Sequence, residues 1–167
     1  GISYVILMPV FADHVLRVGA KGLGVLMSFN GLGALGAALM LARLGDFKYK
    51  GKLLISSSII FSISLVLFAL SKIYLFSIIA LILIGWGSVT ATAIINTILQ
   101  LIVSDEFRGR VVGVFMLTFA GIMPFGYLIA GGLAHIWGVS LTVLISGIIC
   151  AVSFIIINTL CPQIRNL

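Results

Sequence analysis

Long runs of apolar residues, interrupted only where a few charged residues cluster, constrain this chain more than any other feature of its sequence. Of its 167 residues, 62% are hydrophobic and 8% are charged, whereas an average soluble domain is about 25% charged. A lysine or aspartate at the centre of a bilayer is costly, while leucine, isoleucine, phenylalanine and valine favour insertion. The chain is therefore predicted to be a membrane protein whose spans lie between the charges.

The charged residues divide the chain into six predicted spans, of which the first is short. Residues 1–12 fall below the roughly 20 residues that a spanning helix requires, so we expect a span that is completed upstream. This run also lacks the basic start and cleavage site of a signal peptide. The fold class is thus an all-α polytopic membrane helix bundle, with spans at about residues 1–12, 22–42, 53–71, 74–101, 111–134 and 139–160 and a polar link at 13–21.

Small residues four positions apart recur in most of the spans. Such pairs let helix backbones approach closely in lipid, which predicts one packed bundle. The segment GLGALG at 31–36 matches a dinucleotide-binding pattern, but that pattern requires a preceding strand and an exposed helix start; we interpret its glycines as packing residues. Pro124 removes a backbone donor inside the fifth span and predicts a kink. The pairs are Gly33/Ala37, Ala34/Ala38, Gly87/Ala91, Gly126/Ala130/Ala134 and Gly147/Ala151.

Lysine and arginine are distributed unequally between the two ends of the predicted bundle. The loops after spans two and four, with the C-terminal tail, hold seven of the ten, and the opposite loops hold Arg17, Lys21 and Lys72. The positive-inside rule then predicts a cytoplasmic C-terminus in the cell (inner) membrane. The net charge of +6 is accounted for by this topology, so no nucleic-acid partner is expected.

The fourth span carries the clearest candidate for a binding surface. Ser88, Thr92, Asn96 and Gln100 recur every fourth residue with Thr97 beside them, and such a row drifts only about 40° per step around a helix. Asn30 in the second span and Tyr127 in the fifth are candidates to join it. The stripe either lines a solute path or forms hydrogen bonds between helices. Asn96 and Gln100 are the less expected residues for packing alone.

Two basic loops lie at the predicted cytoplasmic face. In the first, Gly45 suits the left-handed conformation that ends a helix, Arg43 suits the negative end of the helix dipole, and Asp46 stands among lysines and arginine. In the second, Ser104 is predicted to cap the fifth helix, and the acids that follow it suit the positive dipole end and pair with arginine. Both loops fit a topological anchor, and a gating role is the alternative.

Three parts of the sequence carry a family resemblance: PVFAD at 9–13 with GLG at 22–24, ARLGD at 42–46 with KGK at 50–52, and DEFRGRV at 105–111. Together they resemble the C-terminal half of a major facilitator superfamily transporter, in its macrolide-efflux-like and siderophore-exporter-like secretion branch. The first loop is similar to the superfamily motif G-x-x-x-D-R-x-G-R-K, although Ala42 replaces the first glycine, Phe47 replaces a base and Gly51 comes two positions late. The resemblance covers the whole chain as helices seven to twelve, arranged as two three-helix inverted repeats.

The resemblance implies a fragment of a secondary active transporter that exports amphiphilic small molecules, such as drugs or siderophores, by alternating access. Its partners would be the lipid bilayer, a missing N-terminal six-helix half, a small-molecule substrate and protons as the coupling ion. No cofactor, metal or catalytic residue is expected. The cytoplasmic gating residues implied are Arg43, Gly45, Asp46, Lys50, Gly51, Lys52, Asp105, Arg108, Gly109 and Arg110.

The residues alone distinguish two other functional classes. A membrane enzyme or electron carrier would need charged or histidine side chains inside the spans, and the sequence places none there. A non-catalytic six-helix assembly subunit is the stronger alternative. For a proton-driven transporter, the coupling carboxylate would lie in the missing sequence or near Asp13 at the outer end of the first span.

Overall fold

The computed structural model describes residues 3–45 and 49–160. Within those ranges the chain is all-helical, which confirms the predicted fold class, and the five helices α2 to α6 are each long and apolar enough to cross a membrane. The helices are α1 (Tyr4–Val10), which continues as a π-helical turn (Phe11–Val15), α2 (Gly19–Leu44), α3 (Lys50–Leu70), α4 (Tyr74–Ile102), α5 (Asp105–Trp137) and α6 (Val139–Leu160).

The segment expected to be a polar link, residues 13–21, is largely helical. The π-helical turn carries the helix past Asp13 and His14 to Val15, and α2 already begins at Gly19. The ring of Phe11 is fully buried and stacks on Phe68 of α3 with 4.4 Å between centroids. Because this contact holds the turn against the bundle, packing extends the helix beyond its first charged residues.

Helix α4 lies at the centre of the bundle, with α2 packed along one side and α3 along another. Gly33 of α2 lies against the backbone of Ile82, and Gly85 of α4 lies against the carbonyl oxygen of Asn30, so that neither position has room for a Cβ. Gly87 is also tight, since a Cβ there would come within 2.9 Å of the Ser57 carbonyl oxygen of α3. These glycines set how closely the helices approach.

Helix α6 packs on α3, while α5 lies at the edge of the bundle and touches mainly α6. Of the residues Asp105–Trp137, all of them described, one is buried, Ala130. Its large apolar side chains are exposed, as at Leu117 (75%) and Leu128 (74%). Pro124 lies inside this helix, which is continuous from Asp105 to Trp137, and the kink there stays a prediction. An apolar helix that is so exposed requires lipid or another polypeptide around it.

Two helix ends differ in detail from the expectation. Gly45 follows α2 with a positive φ of 55°, but its ψ of −135° lies outside the left-handed helical region that was expected. Ser104 does precede α5, yet its side chain makes no capping hydrogen bond. Its backbone carbonyl oxygen accepts from the amide nitrogens of Phe107 and Arg108 at 3.0 and 3.1 Å, so the backbone alone begins the helix.

Candidate functional site: a groove between helices α1, α4 and α5

A groove of about 460 Å³ lies where α1, α4 and α5 meet. Three of the four stripe residues of α4, Ser88, Thr92 and Asn96, line it, as their four-residue spacing on one helix face requires. Tyr4 of α1 and Phe119 of α5 close it from the other helices. The groove therefore combines a polar strip with aromatic and aliphatic walls, and we name it the α4 groove.

The two hydroxyl groups of the stripe donate to the backbone of their own helix. Ser88 Oγ donates to the carbonyl oxygen of Gly85 at 3.1 Å, and Thr92 Oγ1 donates to that of Ser88 at 2.8 Å. A hydroxyl oxygen keeps its acceptor lone pairs when its proton is donated. These two side chains thus offer the groove neutral hydrogen-bond acceptors.

The two amide side chains of the stripe bond to each other. Gln100 Nε2 donates to Asn96 Oδ1 at 3.2 Å, a contact within α4 and not between helices. An amide has two donor hydrogens and one acceptor oxygen, so the Asn96 nitrogen and the Gln100 oxygen keep further bonding capacity. Gln100 lies one turn beyond Asn96 and is exposed. The stripe therefore continues beyond the α4 groove, toward the end of the bundle where the loop between α2 and α3 lies.

Asn30, which was predicted to join the polar stripe, lies between helices and does not line the α4 groove. Its Nδ2 donates to the phenol oxygen of Tyr4 and to the backbone carbonyl oxygen of Leu81, both at 3.1 Å. One amide thus connects α2 with α1 and with α4. Asn30 positions Tyr4, a wall of the α4 groove, and provides the interhelical hydrogen bonding that was the alternative interpretation of these polar residues.

A second groove of about 320 Å³ runs along α5 beside the first, and Phe119 lines both. The rings of Phe115 and Phe119 stack with centroids 6.1 Å apart. Tyr127, a predicted path residue, lines this second groove, and its hydroxyl donates to Met123 Sδ at 3.8 Å. The two grooves together make one aromatic surface that borders the polar stripe.

Sequence reasoning did not identify two residues of this surface, Tyr4 and Phe119. Tyr4 lies in the short first apolar run and contacts Asn30, which is 26 positions away, and no local pattern reports such a pairing. The aromatic spacing Phe115 to Phe119, one helical turn, was the available signal for the second residue.

The first basic loop meets α4 near the end of the stripe. Gly45 and Lys50 line a small cavity of about 110 Å³ together with Ala93 and Thr97 of α4. Asp46, the acid of the motif, lies outside the described residues. Lys52 lies 4.6 Å from the centroid of the Tyr49 ring, Gly51 is buried, and Arg43 is exposed in the last turn of α2.

The second basic segment forms the first turns of α5. Arg108 pairs with Asp105 at 2.6 Å, three residues earlier in the helix, which is one of the pairings expected from the sequence. Arg110 lies over the Phe107 ring at 5.8 Å. All of these residues and Gly109 are exposed. An exposed ion pair of this kind stabilises a protein only slightly.

Five long apolar helices, one of which carries a polar stripe, define a multi-pass helical membrane protein. Within residues 3–45 and 49–160, no three acidic, histidine or cysteine side chains are grouped so that they could hold a metal ion. The chain belongs to the MFS_3 family of transmembrane secretion effectors, whose sequence profile matches residues 1–166. Membership places it among membrane transport proteins and not among enzymes.

Among curated proteins, the chain is similar to the staphyloferrin A transporter of Staphylococcus aureus (strain NCTC 8325 / PS 47), with 31% identity over 150 residues. The aligned region covers 89% of this chain and 37% of that relative. The chain therefore spans little more than a third of the length of the curated relative that it matches. No solved structure was found to match it.

Proposed function

We propose that this chain is the C-terminal half, helices seven to twelve, of a secondary active transporter that exports amphiphilic small molecules by alternating access. The observation that carries the proposal is the α4 groove, in which Ser88, Thr92 and Asn96 face Tyr4 and Phe119. An amphiphile presents polar and apolar surfaces together, and this groove offers a match for each. Drugs and siderophores are the two substrate classes that fit.

The groove would bind its substrate by neutral groups. Ser88 and Thr92 offer acceptors, and the Asn96 amide offers donors. The aromatic surface of Phe115 and Phe119 contacts the apolar part, and Met123 adds a flexible side chain that adapts to ligands of different shape. Because the site has no fixed charge, it would accept solutes that are amphiphilic without requiring them to carry the same ionic group.

The other half of the transporter is proposed to face α5 and the two grooves. Of the 33 residues of α5, 24 are exposed and one is buried, and the grooves open on the same part of the bundle. A second set of six helices packed there would enclose the substrate path between the halves. We further propose that α1 to α3 and α4 to α6 form two three-helix inverted repeats, because the six helices divide into two consecutive sets of three.

The topology proposed places the C-terminus and both basic loops on the cytoplasmic side of the inner membrane, following the lysine and arginine distribution. The loop at residues 43–52 is proposed to act as a conformational latch. The cavity that brings Gly45 and Lys50 to Thr97 of α4 supports this role, since movement of the loop would reach the end of the polar stripe. Proton coupling would involve Asp13, which is exposed beside the first helix.

A transport assay in the full-length protein tests the proposal. Cells that express it are loaded with ethidium or with staphyloferrin A, and efflux of each is compared between the wild type and an Asn96→Leu, Gln100→Leu double variant. We expect the double variant to lose efflux at an unchanged amount of membrane protein. Thr159→Val, on α6 and away from both grooves, removes a hydroxyl that donates to the Ile156 carbonyl oxygen; it is the control and retains efflux.

Two results would contradict the proposal. Efflux by the double variant at the wild-type rate would remove the α4 stripe from the path. If cells with the wild-type protein retained both probes as fully as cells without it, export itself would be wrong, and the non-catalytic assembly subunit would become the better account.

A further inference from the structure

A cavity of about 240 Å³, separate from both grooves, lies between α3, α4 and α6. Its walls are almost entirely aliphatic and aromatic, with Ile55 and Ile59 from α3, Ile95 from α4, and Phe154 and Ile155 from α6. Ile95 precedes Asn96 in the sequence, and successive helical residues point about 100° apart. Helix α4 thus presents a polar stripe to one groove and an apolar side chain to this cavity.

Two polar side chains line the cavity, the exposed Asn158 of α6 and the buried Ser58 of α3. Ser58 is 1% exposed, and among the described residues its Oγ has no hydrogen-bond partner. The neighbouring hydroxyls do have partners. Ser57 Oγ donates to the backbone carbonyl oxygen of Leu54 at 3.0 Å, and Ser62 Oγ donates to the backbone carbonyl oxygen of Ser58 at 2.9 Å. A buried hydroxyl without a partner is unfavourable, so a ligand that carries an acceptor would satisfy it.

A positive charge lies on the same face of α3. Lys52, Ile55 and Ile59 are spaced three and four residues apart, which places them along one side of the helix. Lys52 is exposed and lies roughly 9 Å from Ser58 along the helix axis, at about 1.5 Å per residue. Helices α3, α4 and α6 contain no acidic residue within their described ranges. From the first turn of α3 toward its centre, the positive charge of Lys52 is thus followed by the apolar cavity walls and the hydroxyl of Ser58.

We propose that this cavity binds one acyl chain of an anionic glycerophospholipid from the cytoplasmic leaflet. The acyl chain packs against the isoleucines, its ester carbonyl oxygen accepts a hydrogen bond from Ser58, and the phosphate lies at Lys52. The cavity is smaller than the roughly 300–1,000 Å³ of sites for drug-sized ligands, which suits part of a chain and not a whole solute. The leaflet named rests on the topology proposed above, and the site itself is independent of export.

The test measures lipid retained by the purified full-length protein. The protein is incubated with equal amounts of phosphatidylglycerol and phosphatidylcholine in detergent, and bound lipid is counted by native mass spectrometry. We expect one phosphatidylglycerol per protein in preference to phosphatidylcholine. Ile155→Trp, which fills the cavity from its rim, should lower retention several-fold, whereas Ile149→Trp should not. These two isoleucines of α6 are similarly exposed, at 61% and 59%.

Two further pairs of variants assign the recognition groups. Lys52→Gln should abolish the preference for phosphatidylglycerol while chain binding persists, and Lys72→Gln, at the other end of α3, should leave it unchanged. Ser58→Ala should weaken retention of both lipids, and Ser57→Ala, whose hydroxyl already bonds within its helix, should not. None of these readouts depends on transport, so a failure of export would not affect them.

The proposal is overturned if Ile155→Trp retains lipid as Ile149→Trp does, if Lys52→Gln keeps the headgroup preference, or if the wild type retains no lipid. A dimer that disappears with Ile155→Trp would also overturn it, because a second copy and not a lipid would then cover the cavity.

Discussion

The side-chain amide of Asn30 donates a hydrogen bond to the phenol oxygen of Tyr4 across 3.1 Å, and this contact joins α2 to the short first helix. The same nitrogen reaches the Leu81 carbonyl oxygen of α4. Tyr4 is buried and forms one wall of the α4 groove. A residue first grouped with the solute path thus has a clear structural role in holding that wall in place.

A double-mutant cycle measures this contact. Asn30→Ala and Tyr4→Phe should each lower the free energy of unfolding in detergent, and the double variant should lose less than the sum. We expect a coupling of about 0.6 kcal/mol, with about 1.7 kcal/mol as the upper limit for hydrogen bonds between membrane helices. Additive losses would show that the two side chains do not stabilise one another.

The three glycines of the segment GLGALG should respond differently to alanine. Gly33 lies against the backbone of Ile82, whereas nothing lies within 4 Å of a Cβ at Gly31 or Gly36. Gly33→Ala should therefore separate α2 from α4 and lower the melting temperature. Gly31→Ala and Gly36→Ala are the matched controls and should be neutral or stabilising by up to about 1 kcal/mol, the difference in helix propensity.

A melting temperature for Gly33→Ala that equals the wild-type value would contradict the close approach of α2 and α4. Comparable losses at all three positions would instead indicate that Gly31 and Gly36 are also covered in the full-length protein, by contacts outside this chain.

The pair of Asp105 with Arg108 should contribute little to stability. Its two side chains are 88% and 47% exposed, so Asp105→Asn should lower the free energy of unfolding by less than about 1 kcal/mol. The loss should shrink further in about 1 M salt, where the Debye length is about 3 Å. A cycle with Arg108→Gln separates the pair from the effect of the helix dipole, which Glu106→Gln tests by itself.

The same variants distinguish the two roles considered for the first turns of α5, a topological anchor and a gate. Transport slowed several-fold by Asp105→Asn at unchanged stability would favour a gating role at the start of α5. Transport and stability both unchanged would leave these residues as a topological anchor. A stability loss well above the stated limit would mean that the pair is covered in the full-length protein.

The sequence allowed the helical class to be predicted because the cost of charge in lipid is a strong, local signal. The charges at Lys72 and Asp105, for example, lie just outside the two ends of α4. The extent of the first helix was predicted less well. Helix continues past Asp13 because Phe11 packs on Phe68, a contact between residues 57 positions apart that no local pattern contains.

The stripe on α4 shows the same limit at the candidate site. Helical periodicity placed Ser88, Thr92 and Asn96 on one face, and the three do line one groove. The sequence could not show that Asn30 would bond to Tyr4 and not face the groove. Spacing determines which residues share a helix face, but the neighbouring helices determine what that face contacts.

The exposure of α5 has a consequence for how this chain acquires its stability. A helix of 33 residues with one buried residue shares little surface with the five helices before and after it. Its tilt and depth must therefore depend largely on what surrounds it outside these helices. A change in the outer surroundings of α5 would therefore disturb few of the contacts that hold α2, α3, α4 and α6 together.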